Sequence, residues 1–133
     1  MNSKLQKIKV VAGVILYQEK ILITKRPLDV HMGGNWEFPG GKVENNESDR
    51  EALRRELKEE LSIEATVNQF LLETRYSYES FEVNLFFYEC IVSSYKAHDN
   101  FVLEHKWVLP SDIEDYTFPP ANNEIKSLIL KKY

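Results

Sequence analysis

Residues 8–17 (IKVVAGVILY) and 20–25 (KILITK) are dense in Val and Ile and stand on either side of Gln18-Glu19. That pattern predicts two strands joined by a tight hairpin. Residues 27–42 then carry Gly33-Gly34, Pro39 and Gly40-Gly41, breakers that predict a long structured loop of the kind that often carries function. Beyond it the period changes. Leu53, Leu57 and Leu61 recur every four residues, the buried stripe of a helix, with Glu51, Arg54, Arg55 and Lys58 on the opposite face. Ser48, followed three residues later by Glu51, is a capping box and sets where this helix begins. Residues 66–76 and 81–92 read as strands, the second too apolar through Val83, Leu85, Phe86 and Phe87 to leave either face in water. A short strand at 106–109 follows a polar loop. After Pro119-Pro120, residues 122–132 show Ile125, Leu128 and Ile129 at helical spacing and end in Lys131-Lys132, cations suited to a helix C-terminus. With no repeat, low-complexity tract or linker, the expectation is an α/β chain folded as a single domain over residues 1–133.

Composition narrows the partners. The formal charge of −4 and pI near 5.4 argue against a nucleic-acid polymer as ligand, since backbone binding rests on clustered Lys and Arg. Small anions held through a metal remain open. The single cysteine, Cys90, sits in an apolar run and reads as a small hydrophobe in a reducing compartment. Residues 1–7 lack the apolar core of a signal peptide, and no run approaches the ~20 apolar residues of a membrane span. The expectation is a cytoplasmic monomer or homodimer with no membrane partner.

The chemistry concentrates on the helix after the double glycine. Glu56 and Glu60 are neighbours one turn apart beside the apolar stripe, and Glu59 flanks them. Three like charges therefore converge near protein, an arrangement that costs stability on its own. A solvated acidic helix is the blander reading. A divalent cation is the sharper one, because hard cations such as Mg²⁺ take carboxylate oxygens and complete their shells with water and substrate phosphates.

The full spacing decides between them. Gly41, five residues, Glu47, seven residues, Arg55-Glu56-Leu57, one residue, Glu59-Glu60, one residue and Ser62-Ile63 together resemble the signature of the Nudix hydrolases, which cleave nucleoside diphosphates linked to another group. Every charged position matches; Ser62 stands where the family usually has glycine. The resemblance implies an α/β/α sandwich with a mixed sheet. It also implies Mg²⁺ (Mn²⁺ as the alternative ion) held by Glu56, Glu59, Glu60 and the Gly40 carbonyl. Glu56 is the expected general base and Lys42 the stabiliser of phosphate charge. Arg55 and Glu47 form the expected structural pair behind them, and Glu44 fits either role.

Further segments extend the likeness to the MutT-type branch of the family, the 8-oxo-dGTP diphosphatases that sanitise the nucleotide pool. They are His31-Met32, Glu37-Phe38-Pro39-Gly40-Gly41-Lys42 and Phe118-Pro119-Pro120-Ala121-Asn122. The resemblance places Arg26, His31, Glu37, Phe38, Pro39, Gly40 and Asn122 against the nucleotide, with Asn122 reading the base. An amide there can match the O6 acceptor and N7 hydrogen of 8-oxoguanine, whereas Asn before a helix is also a routine N-cap. Phe38 fits a base stack or the core. Two positions depart from the branch: Phe101 falls where a further metal-binding Glu is usual, leaving Glu104 and Asp99 as nearby substitutes, and Phe81 falls on a nucleotide-closing Arg. Asn35-Trp36-Glu37-Phe38 also resembles the CTP pyrophosphohydrolases, so a CTP or modified-dCTP pyrophosphohydrolase is the first alternative. A non-catalytic nucleotide sensor is the second; it would be expected to have lost box carboxylates, and this chain keeps all of them.

Overall fold

The computed structural model describes residues 6–133; the reading of residues 1–7 as lacking a signal sequence falls largely outside them. β1 (Gln6–Tyr17) turns through Gln18 and Glu19 into β2 (Lys20–Lys25). Both turn residues have positive φ, 47° and 67°, the geometry that lets a two-residue hairpin follow the twist of its strands. β3 (Trp36–Glu37), β4 (Gly40–Lys42), helix α1 (Asp49–Leu61), β5 (Thr66–Ser77), β6 (Phe81–Ile91), β7 (Glu104–Val108) and helix α2 (Asn123–Lys132) follow.

The sheet is mixed. β1 runs parallel to β6 from Gln6 opposite Phe81 to Leu16 opposite Ile91, and its other edge is shared, antiparallel, by β4 near its start and β2 at its end. β5 lies outside β6, while β2 also carries β3 and β7. Because strand side chains alternate, each central strand feeds two cores. Val11, Ile15, Leu22, Tyr88 and Cys90 pack against Leu53, Leu57 and Leu61 of α1. Ala12, Val14, Ile21, Ile23, Val83, Leu85 and Phe87 pack against Ile125 and Ile129 of α2. Helices thus cover both faces, and the α/β/α sandwich with its mixed sheet is what the pattern of two apolar strand faces requires.

The breaker-rich stretch 27–42 is not all loop. It contributes β3, paired with β2, and β4, where Gly40 and Gly41 lie so close to β1 that their backbone pairs with it: a Cβ on Gly40 would stand 1.9 Å from the Val11 carbonyl oxygen. Short 3₁₀ turns at Pro110–Asp115 and Pro120–Asn122, set by their prolines, have no periodicity that hydropathy can reveal. The second of these delays α2 by one residue. No helix among the described residues is long and apolar enough to cross a membrane.

Candidate active site

The capping box forms as its residues demand, with the Glu51 N–H donating to Ser48 Oγ at 3.1 Å and the Ser48 N–H donating to Glu51 Oε1 at 2.9 Å. With that start fixed and Leu53, Leu57 and Leu61 fully buried, the helical period turns Glu56 and Glu60 toward β4 and leaves Glu59 beside them at the edge, paired with Arg55. The contact is tight. A Cβ on Gly41 would lie 2.3 Å from Glu56 Cδ, so only glycine allows the carboxylate to sit against this strand.

Arg55 departs from the helical-wheel expectation. It is not on the solvated face: its side chain is 25% exposed and folds back over the 40–47 loop. Nε and Nη2 donate to the two Glu47 oxygens at 2.6 and 3.0 Å, and Nη2 also donates to the Lys42 carbonyl at 3.1 Å. Nη1 donates to Glu56 Oε1 at 2.8 Å and to Glu59 Oε2 at 3.3 Å. A bidentate guanidinium–carboxylate pair is among the strongest polar contacts available. It holds the Glu47 carboxyl down to about 2, chiefly through the Arg55 hydrogen bonds, and raises the Arg55 pKa in turn. The pair locks loop to helix, as the family resemblance implies.

The carboxylates nearer the sheet behave oppositely. Burial pushes Glu60 up to about 8, reinforced by the neighbouring charges of Glu37 and Glu56. Burial also raises Glu56, with Arg55 pulling the other way. Among the described residues no three acidic, imidazole or thiol groups already converge at the spacing of a cation shell; Glu56 and Glu59 are turned toward Arg55 instead.

These residues line one end of a cleft of about 840 Å³. Of the residues expected at the site, Arg26, His31, Glu37, Phe38, Gly40, Lys42, Glu56, Glu59, Glu60 and Asn122 all line it. Pro39 does not: it is buried and its carbonyl accepts from the Gly13 N–H at 2.8 Å, tying the loop to β1. Arg26 donates from Nη1 to Glu37 Oε1 at 2.6 Å and from Nε to the His31 carbonyl at 2.8 Å, bracing the loop that follows β2. Burial raises Glu37 despite this partner. Phe38 is 3% exposed and stacks on Phe118 at 5.0 Å, so most of its ring belongs to the core.

Asn122 is 7% exposed and holds the N-cap position of α2 without a side-chain cap bond; Nδ2 reaches only the Pro119 carbonyl, at 3.4 Å. Capping does not explain it. Asp99 pairs with His105, and Glu104 lies 4.0 Å from Lys25. Neither lines the cleft, and Phe101 is 69% exposed.

The sequence reading missed the apolar half of the cleft. Val10 and Ala12 of β1 with Val83 and Leu85 of β6 form part of its lining, joined by Tyr78 and Phe81. The His31 ring meets Tyr78 and Phe81 edge-on at 4.6 and 5.1 Å. The alternation along β1 and β6 carried this signal, since the same residues face α2.

Five carboxylates (Glu37, Glu44, Glu56, Glu59, Glu60) and three fixed cations (Arg26, Lys42, Arg55) line the cleft. Bound here directly, a polyphosphate would face net repulsion; with cations interposed, the same oxygens become ligands.

A NUDIX domain model matches residues 11–128, and the chain belongs to the Nudix hydrolases. The CTP pyrophosphohydrolase of Escherichia coli is 38% identical over 117 residues, covering 86% of this chain and 85% of that protein. The 8-oxo-dGTP diphosphatase of the same organism is 30% identical over 124 residues, covering 91% and 95%. Among solved structures, the E. coli ORF135 protein superimposes with a TM-score of 0.81 at 32% identity, covering 96% of this chain and 91% of that one. A MutT protein from Methanosarcina mazei gives 0.88 at 20% identity, covering 98% of each chain; at that identity the likeness speaks for the fold alone.

Proposed function

We propose that this chain, acting as one domain over residues 1–133, hydrolyses a nucleoside triphosphate to the monophosphate and pyrophosphate, with 8-oxo-dGTP as the preferred substrate. The observation that carries the reading is the two-ended cleft: an acidic row on α1 and an aromatic and amide pocket at Asn122, joined by β4. The oxygen donor set of Glu56, Glu59, Glu60 and the Gly40 backbone suits a hard cation, Mg²⁺ or Mn²⁺, and a Glu60 carboxyl pushed up to about 8 by burial and then by the charges of Glu37 and Glu56 gains most from one. When bound, such a cation neutralises phosphate oxygens and makes an attacking water more acidic.

The side chains supply the rest. Glu56, pressed on Gly41 and oriented by Arg55, accepts the proton of the attacking water. Lys42 at the rim stabilises charge on the departing phosphates. Arg55 and Glu47 keep helix and loop in register, as supporting partners of a metal centre commonly do. Arg26 and Glu37 brace the loop that carries His31, while Asn122 presents donor and acceptor to the base edge. We place the enzyme in the cytoplasm, as a monomer or homodimer acting on free nucleotides.

A second reading, CTP or a modified dCTP as substrate, is favoured by two observations: the near full-length similarity to a CTP pyrophosphohydrolase and the apolar Phe81 on the cleft wall. One experiment separates them. Pyrophosphate release is measured in Mg²⁺ across 8-oxo-dGTP, dGTP, CTP and oxidised or methylated dCTP. The expected result is the highest kcat/KM on 8-oxo-dGTP; a higher value on a cytosine nucleotide transfers the assignment to the second reading.

A further inference from the structure

Ser62 closes α1 in the left-handed conformation, φ 56° and ψ 37°, with its N–H returning to the Leu57 and Lys58 carbonyls. The position calls for glycine, and a side chain there is strained. A residue far along the chain answers it. Asn100 Nδ2 donates to Ser62 Oγ at 2.9 Å and to the Glu59 carbonyl at 3.1 Å. The Asn100 and Phe101 N–H groups donate to the Glu60 carbonyl at 3.0 and 3.4 Å, and the His98 N–H donates to the Leu61 carbonyl at 2.9 Å. The last carbonyls of a helix have no donor within it. Here segment 98–101 supplies them, and two of those carbonyls belong to the residues that carry the Glu59 and Glu60 carboxylates.

We propose that Asn100 is a positioning residue for the cation site: by clamping the Glu59 backbone and Ser62 together, it fixes the directions in which the Glu59 and Glu60 carboxylates project. It touches neither cation nor nucleotide and works through the last turn of α1. The clamp also accounts for serine at the helix end, because Oγ is the acceptor that joins Asn100 to the turn. This inference rests on the reading of Glu59 and Glu60 as cation ligands.

Mn²⁺ titration of the nucleotide-free protein, followed through the electron paramagnetic resonance of free Mn²⁺ and paired with thermal melting, tests it in four proteins: wild type, Glu60→Gln, Asn100→Ala and Ser62→Gly/Asn100→Ala. Glu60→Gln should weaken Mn²⁺ binding. Asn100→Ala should weaken it about tenfold or more, the range seen when supporting partners of metal ligands are removed, and should lower the melting temperature. Glycine at 62 relieves the backbone strain, so the double variant should regain the melting temperature without regaining the affinity. Wild-type affinity in Asn100→Ala, or affinity that returns along with stability in the double variant, would overturn the proposal and leave Asn100 a cap. Should Asn100→Ala be too unstable to titrate, the double variant carries the test alone. Equal Mn²⁺ binding by wild type and Glu60→Gln would remove the cation reading itself, and the proposal with it.

Discussion

The two ends of the cleft are built by different means. The acidic end, the phosphate end on the proposed function, comes from one contiguous stretch, residues 40–61, in which β4, its loop and α1 are stapled by the single guanidinium of Arg55. The base end is assembled from separate parts of the chain: Arg26 and His31 after β2, Tyr78 and Phe81 at the β5–β6 turn, and Asn122 before α2. Its contacts are aromatic edges, single hydrogen bonds and the one-point Arg26–Glu37 ion pair rather than a bidentate one. On the proposed function, the local, charge-locked end would fix the reaction type, while the dispersed end could change a residue without disturbing the chemistry. Substrate choice therefore has room to vary where the reaction does not, and relatives of this chain with two different substrates in their names accord with that division.

The largest expected effect breaks the phosphate end alone. Glu56→Gln keeps size and the hydrogen bond from Arg55 but removes the charge, and turnover should fall by roughly 10²-fold or more on every nucleotide, given what a positioned base contributes. Because burial already disfavours the Glu56 charge, melting temperature in metal-free buffer should hold or rise. Near-normal turnover in the folded variant would move the base role to another carboxylate and weaken the view that this end carries the chemistry.

The base end should break differently. Asn122→Ala removes no cap hydrogen bond, since none is formed, so melting should change little. If the amide reads the base, kcat/KM on the preferred nucleotide should fall on the order of 10- to 10²-fold, the size of leaving a polar partner unmatched at about 1 to 3 kcal/mol. Hydrolysis of poor substrates should barely move. A loss spread evenly over all nucleotides would mean that Asn122 supports the fold of the cleft and reads nothing.

What was legible in the sequence follows the same division. The capping box and the leucine stripe depend on residues within a few turns of one another, and spacing alone reports them; the Arg55–Glu47 pair was legible only through the family resemblance, since the helical period put Arg55 on the solvated face. Both helices and the long strands announced themselves by period. The two short strands β3 and β4 were hidden, because β3 is only two residues long on β2 and the glycine backbone of β4 pairs with β1 through its N–H and carbonyl groups, so neither leaves a side-chain pattern. The apolar floor left a trace in the alternation of β1 and β6, but Tyr78 and the grip of Asn100 on α1 were hidden, since both sit in loops whose neighbours are set only by the tertiary fold. Asn122 shows the limit in reverse: its place before a helix suggested capping, and only the geometry separates the position from the bond.

The smallest expected effect compares the two carboxylate environments inside the phosphate end itself. Glu60 titrates near 8 in the folded protein against an ordinary 4.5, so between those values the folded state holds a proton that the unfolded chain has released. Stability of the metal-free protein should therefore fall as pH rises from about 5 to 8, by linkage. Glu47 works in the other direction: with its carboxyl held at about 2, its contribution is present above 4.5 and is lost as pH falls toward 2. Melting in excess chelator should thus be highest near pH 4.5 to 5 and decline on both sides, by about a few degrees for each kcal/mol. Saturating Mg²⁺ should abolish or reverse the decline on the alkaline side, because a cation binds the deprotonated carboxylates and binding to the native state alone stabilises it. A melting temperature that rises steadily from pH 5 to 8 in chelator would show that Glu60 is an ordinary acid, and the contrast between the locked and the cation-seeking carboxylates of this helix would not stand.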